Sequence, residues 1–519
     1  MSKNIILCFD GTCNDPEDAL QHHTLGGSVE DDSITNILKL HLLFGGDLRG
    51  KSVFSDQSSF YYSGVGTYGS WLDKLINKTV APPNQDVSTI LKRAISDLYR
   101  HYETGDRLFV FGFSRGAAIA RRFASVLSTT FPALGKTPPD IRFMGLFDTV
   151  AAIKKPNLLN KELQPASDVV FENRSISPLV QEALHLLSMD DRRIAFFPTL
   201  INKDERVTEI WFAGAHSDVG GGYRYDGLSD NTLQFMLDEL KQRDLGLSLL
   251  TPKEVACSDL IEGDHEPIGY DDLIIQPNPL GMSHQQHAIT HFKEAFLDYR
   301  SPRIIMNEIP SIYPPIIHHS LFDRMADNPD YIPHALRERM INPYTNEGLG
   351  IRVWYSAERI VEYSSIYDAR LAAAHSASPL SIGESRTFIV QANQRYSPTR
   401  ILVKTGEHYR FDLDRNQLWY DSDISATPAG WDRSKLGGVK EFIFRFAESG
   451  RRCPEAEWFE VIGTLNKDER NLFRILHHTD NDHLYEATEN GEFFVFANDL
   501  IDKYNNNLGS VEITVTRVE

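Results

Sequence analysis

The chain has 519 residues, 41% of them hydrophobic and 24% charged, enough to bury a large core and to form more than one domain. Fifty-three basic residues against 72 acidic ones give a formal net charge of −19, which argues against a nucleic-acid partner and against docking on anionic lipid by charge alone. Cys8, Cys13, Cys257 and Cys453 are scattered without a metal-binding or disulfide pattern, which suits synthesis in a reducing compartment. The first apolar run, Asn4 to Phe9, is too short for a signal-peptide core, and no run approaches the ~20 apolar residues of a membrane helix. The chain is expected to be made in the cytoplasm and, if it acts outside the cell, to leave by a route that needs no cleaved signal.

Residues 1–250 read as alternating strands and helices. Ile5 to Phe9 is a short strand entering the turn Asp10-Gly11-Thr12. Thr89 to Tyr99 has helical spacing, and Arg107 to Gly112 is a buried-type strand. Ala117 to Leu127 is a helix rich in small residues. Ile141 to Phe147 and Thr208 to Gly214 are further strands. Strands separated by helices predict a mostly parallel α/β sheet, α/β-hydrolase-like, with helices on both faces. Residues 251–384 are less regular and richer in proline, which predicts a cap or insertion with core-completing helices such as Ala357 to Ala374. From 385 to 519 short alternating runs (Thr387 to Val390, Phe442 to Phe446, Phe493 to Phe496, Val511 to Val515) predict an all-β sandwich.

Gly112-Phe113-Ser114-Arg115-Gly116 places a serine between two glycines, after an apolar strand and before a helix. That context holds the hydroxyl exposed on a tight turn at a helix N-terminus, where negative charge is favoured. Ser114 is the candidate nucleophile. A serine of ordinary pKa needs a base and an orienting acid. Asp148 and His216 follow strand ends in the order serine, acid, base that α/β-hydrolases use. Asp148 has the rival role of capping a helix from Thr149, and His284, His287 and His291 are competing bases in a polar, helix-like setting. The oxyanion hole is expected from the backbone N–H of Arg115 and from Gly11 or Thr12. Phosphatase chemistry at Asp-Gly-Thr fails because Cys8 stands where the nucleophilic aspartate is required.

The run of Cys8 to Thr12, Thr35-Asn36, Tyr61 to Gly66, Gly105-Asp106, Gly112 to Ala117, Phe147 to Val150, Asp191 to Arg193 and Gly214 to Tyr223 resembles the hydrolase domain of type VI secretion lipase effectors of the first class. The likeness covers roughly residues 3–245. It implies phospholipase A-type activity through Ser114, Asp148 and His216, with delivery by a secretion apparatus into a competing cell and an immunity protein as partner. Cys13 stands where the family's first motif carries Trp. The hydrolase is expected to need no cofactor. For extraction of an acyl chain from a bilayer, Ile304 to Ile317 is a candidate apolar surface, with domain packing as its rival role.

The loop from Phe496 to Ser510 gathers oxygen atoms of the kind calcium prefers. It is similar to the calcium-dependent galactose-binding lectins of bacteria. That resemblance implies Ca2+ held by Asp499, Asn506, Asn507 and the carbonyls of Lys503 and Tyr420, with Lys503 in a position where the lectins carry Thr. An asparagine-rich turn is the plainer alternative. If sugar binds, envelope glycan is the expected partner. Two further functions stay open: an esterase or thioesterase on small soluble esters, and a glycan-binding protein with a degenerate hydrolase domain.

Overall fold

The structure is a computed structural model that describes residues 2–11, 33–63, 84–151, 175–223, 226–257, 268–284, 297–307, 309–311, 313–328, 331, 333–337, 350–374, 377–421, 424–431, 450–501, 503–504 and 507–519. Alternation along the first strand, β1 (Asn4–Phe9), sets the layering. Ile5, Leu7 and Phe9 point to one face and Ile6 and Cys8 to the other, as the two-residue strand period demands. Because both faces are apolar, both must be covered by helices.

The first face is covered by α2 (Asn84–His101) through Ala94 and Leu98 and by α3 (Ser114–Ala133) through Ala117, Ala120, Phe123 and Leu127. α1 (Asn36–Leu43), lying before α2 in the chain, covers the second through Ile37 and Leu40. It is joined there by α5 (Gly227–Gln242) through Leu233 and Met236. Between them run β2 (Gln57–Tyr62), β3 (Arg107–Phe113), β4 (Ile141–Phe147), β5 (Ala183–Ser188), β6 (Val207–Phe212) and the short α4 (His216–Gly220). The expected mostly parallel sheet with helices on both faces is present.

Residues 251–384 do more than cap it. β7 (Ile316–His318), β8 (Ile351–Ser356) and β9 (Arg359–Tyr363) extend the same sheet, whose order among the described residues is β9-β8-β7-β6-β5-β4-β3-β1-β2. Every neighbouring pair is parallel except β8 with β9. α6 (His319–Asp327) and α7 (Ile366–Ala373) pack Leu321, Phe322, Met325 and Ala369 against Trp211, Ile317 and Val353. The helix expected over Ala357 to Ala374 is therefore a hairpin strand followed by a shorter helix. Its break falls at Ser365, whose hydroxyl accepts the Asp368 N–H and caps α7.

The C-terminal region is all-β. β11 (Ser397–Val403), β16 (Gly491–Ala497) and β15 (Val461–Leu465) form the middle of one antiparallel sheet. In the other, β17 (Asn507–Arg517) pairs with β10 (Ser385–Gln391), β12 (His408–Asp412) and β13 (Trp419–Asp421), and β14 (Ile424–Thr427) follows β13. Val461, Phe493 and Val495 of the first share one core with Tyr409, Phe411, Val511 and Ile513 of the second, which is sandwich packing. The expected strand at Phe442 to Phe446 lies outside the described residues.

Candidate active site

At the end of β3 Phe113 is extended, and the next residue, Ser114, has φ +56° as α3 begins. A non-glycine residue there costs on the order of 1–3 kcal/mol and survives only where its surroundings enforce it. Gly112 and Gly116 are part of that enforcement. A Cβ on Gly112 would fall 2.7 Å from Ala117 Cα, and one on Gly116 would fall 2.2 Å from the Phe9 carbonyl oxygen. The turn after β1 thus lies directly on the serine turn.

Asp148 follows β4, also at positive φ, +37°. His216 opens α4 beyond the end of β6. The parallel sheet brings all three to its C-terminal edge, and they meet. His216 Nδ1 donates to Asp148 Oδ2 at 2.6 Å, which leaves Nε2 to accept from Ser114 Oγ at 2.8 Å. Ser114, Asp148 and His216 are all buried. No helix starts at Thr149, so Asp148 is not a cap; the Thr149 N–H donates instead to His185 Nε2 at 3.2 Å.

Burial alone would raise the Asp148 carboxyl, but the Arg300 guanidinium and His216 hold it well below the usual carboxylate range. Burial lowers His216, and Asp148 opposes that pull. The result is a carboxylate that stays charged beside an imidazole that stays neutral, the state a general base requires.

Among the supporting residues Arg300, Ser188 and Phe196 carried no sequence signal, whereas Asp191, Arg193 and Phe113 lie in runs that carry the family resemblance. Arg300, buried, donates through both terminal nitrogens to Asp148, at 2.6 and 2.9 Å. Ser188 adds its N–H at 3.0 Å. Asp191, paired with Arg193, accepts the His216 N–H at 3.2 Å. Burial would raise Asp191, yet Arg193 brings it down to about 2. The Phe113 and Phe196 rings flank the imidazole, with centroids at 4.7 and 5.1 Å.

Of the competing bases, His284 is committed elsewhere. Its Nδ1 bonds Asp218 Oδ1 at 2.6 Å and its ring stacks on Tyr223. Asp218 also accepts the Ala215 N–H at 2.8 Å, so this group steadies the helix that carries His216. His287 and His291 lie outside the described residues.

The oxyanion expectations divide. Arg115 follows the nucleophile in the first turn of α3, at the positive end of the helix dipole. The Gly11 N–H, expected to face the substrate, instead donates to Asp10 Oδ1 at 2.6 Å. Thr35 Oγ1 and Tyr61 Oη fix that carboxylate at 2.6 Å each. Thr12 lies outside the described residues. The described part of Ile304 to Ile317 is at the wrong edge of the sheet for an acyl chain. Lys203, which precedes β6, donates its N–H to the Ile305 carbonyl, and β7 only begins at Ile316. Both mark the N-terminal edge, whereas Ser114, Asp148 and His216 sit at the C-terminal one.

Residues 3–134 and 129–239 match the family described as the T6SS phospholipase effector Tle1-like catalytic domain. The match spans somewhat less than half of the chain, so the similarity to a Tle1-like catalytic domain is one of residues 3–239. Over 249 residues it is 28% identical to an uncharacterized protein of Saccharomyces cerevisiae, covering 37% of this chain and 32% of that one, so it spans about a third of that relative's length. An uncharacterized Pseudomonas aeruginosa protein of known structure is 21% identical, with 49% of this chain and 47% of that one covered and a TM-score of 0.32. The structure of the Tle1 effector bound to the VgrG spike of the type 6 secretion system is 25% identical, with 43% and 51% covered and a TM-score of 0.27. At those TM-scores the likeness lies in the matched sequence and not in superposition. The Tle1-like match contains Ser114, Asp148 and His216 but ends before Arg300.

In the C-terminal domain, Asp499 and Asn507 are adjacent and buried: Asn507 Nδ2 donates to Asp499 Oδ2 at 2.9 Å and to the Ala392 carbonyl at 3.1 Å. Asn507 Oδ1 is buried and meets no donor among the described residues. Burial raises the Asp499 carboxyl above its usual range. Tyr420 pairs with Leu508 across β13 and β17, one register step from Asn507. Asn506 lies outside the described residues, and Lys503 is seen donating its N–H to the Leu500 carbonyl. An oxygen without a donor beside a carboxylate fits a hard cation. Among the described residues no three His, Cys, Asp or Glu side chains gather as a metal site.

Proposed function

We propose that the chain is a serine-dependent lipid-ester hydrolase of phospholipase A type. The observation that carries this reading is the continuous hydrogen-bonded chain from Ser114 Oγ through His216 to Asp148, inside the stretch that matches the Tle1-like phospholipase-effector domain. Ser114 Oγ attacks the ester carbonyl as its proton passes to His216 Nε2. The tetrahedral oxyanion forms beside the N-terminus of α3, where the Arg115 N–H is its donor. His216 then protonates the departing glycerol oxygen, releasing lysophospholipid and leaving the fatty acyl group on Ser114. Water, deprotonated by His216, hydrolyses that ester and restores the serine.

Export without a cleaved signal through a type VI apparatus, a spike partner and an immunity partner belong to the same reading. It is supported by the family match alone. The C-terminal domain is proposed to hold Ca2+ through Asp499 and Asn507, with Asn506 and the carbonyls of Lys503 and Tyr420, and to dock the enzyme on envelope glycan. Lipid-product analysis on phosphatidylethanolamine–phosphatidylglycerol vesicles tests the reaction. Fatty acid and lysophospholipid should appear in equal amounts with the wild type and neither with Ser114→Ala. Turnover restricted to short soluble esters would select a small-molecule esterase instead.

A further inference from the structure

Asp148 is more heavily held than the orienting acid of a serine triad needs to be. One buried carboxylate accepts the His216 Nδ1–H, the Ser188 N–H and two parallel N–H groups of Arg300, whose side chain is fully enclosed. Arg300 is itself fixed, donating to the Ser188 carbonyl at 2.9 Å and to the Phe196 carbonyl. Paired guanidinium and carboxylate, with all these atoms out of water, form a neutral unit. His216 therefore faces a dipole where an ordinary triad offers a bare anion.

We propose that Arg300 is a positioning residue of the catalytic apparatus, which clamps the Asp148 carboxylate and sets the pH range over which His216 serves as base. The inference rests on the reading of Ser114 as nucleophile. The other groups around His216 are consistent with it. Asp191 reaches the His216 backbone but is neutralised by Arg193; Ser114, Phe113 and Phe196 carry no charge; Asp218, two residues along α4, is engaged by His284. Asp148 is thus the one anion that bonds the imidazole ring among the described residues, and Arg300 governs how much of its field the ring feels.

The sign follows from charge. A bare Asp148 stabilises the imidazolium and raises the pH at which the Asp148–His216 pair takes up its proton. Arg300 offsets that field, so unprotonated His216 persists into more acid solution. Arg300 also lies past residue 239, where the Tle1-like match ends, which makes residues 297–301 part of the catalytic unit.

The test is the rate of Ser114 labelling by a fluorophosphonate probe between pH 4 and 8, which reads the serine–histidine pair whatever the natural ester. In the wild type the acid limb is expected below 6.5, the ordinary histidine value. In Arg300→Met it should rise by about 1 pH unit or more, while Arg300→Lys, keeping a cation but only one contact, labels more slowly with its limb near that of the wild type. An Arg300→Met limb unmoved or lowered, in a protein that still labels, overturns the inference and spares the nucleophile. Should Arg300→Met fail to fold, the wild-type limb decides, and a value at or above 6.5 overturns the inference. No labelling of the wild type at any pH overturns the nucleophile reading and this one with it.

Discussion

Ser114, Asp148 and His216 form one hydrogen-bonded chain, and under the proposed mechanism their substitutions should behave as those of a single unit. His216→Ala should lose as much activity as Ser114→Ala, because neither remaining partner works alone. Asp148→Asn should cost about 10⁴-fold in kcat, since the amide holds the wrong imidazole tautomer. It should also destabilise the fold by about 3–5 kcal/mol, because Arg300 is left as an uncompensated buried charge. Urea unfolding beside the kinetics separates the two effects, and an Asp148→Asn protein of wild-type stability would contradict the clamp. The triad residues were legible in the sequence because each carries a local mark: glycines around Ser114, a strand end before Asp148, a glycine run after His216. Arg300 was not. It lies 152 residues from Asp148, and nothing local distinguishes it from any other arginine.

At the level of elements, the serine turn depends on β1 lying against it. Gly116→Ala drives a methyl into the Phe9 and Asp10 carbonyl oxygens, neither of which is the tip of a flexible side chain. The substitution is expected to cost about 1–3 kcal/mol and to depress labelling of Ser114 more than stability alone explains. The loop before α4 has its own brace. Asp190 accepts the Gly214 N–H and the Tyr331 hydroxyl, both at 2.7 Å, and burial raises its carboxyl to about 6. An acid raised in the folded state favours folding while protonated. Its contribution is full below about 3.8 and is lost as pH climbs to about 6. Asp190→Asn, which mimics the protonated form, should therefore be more stable than wild type by up to about 3 kcal/mol above pH 6 and nearly equal to it near pH 4. Parallel stability curves across that range would contradict this account. Two elements misled the sequence reading for physical reasons. The strand Ala183–Ser188 includes buried His185 and Ser188, so it offers neither an unbroken apolar run nor a period-two alternation. Ala357 to Ala374 is alanine-rich only in its second half, where α7 forms; its first half pairs as strand β9 because β8 offers an open edge.

Across the whole molecule, the hydrolase core does not close at residue 250. β7, β8 and Arg300 come from residues that composition alone marked as a cap, because proline-rich connections hide three short strands from a periodicity test. A fragment ending at residue 250 would leave Trp211 of β6 at a bare sheet edge and Asp148 without its counter-charge. It should be insoluble or unfold without cooperativity; a soluble fragment that labels with fluorophosphonate would refute the shared core. The C-terminal sandwich is expected to gain thermal stability from Ca2+ and lose it with a chelator. Asp499→Asn should abolish the difference in Tm.

The role proposed for Ser114 is hydrolysis of an ester in membrane phospholipid. The most direct measurement is mass-spectrometric analysis of products from phospholipid vesicles incubated with wild type and with folded Ser114→Ala. Stoichiometric fatty acid and lysophospholipid from the wild type alone is the result expected. Equal release by Ser114→Ala, or intact lipid with both, would contradict it.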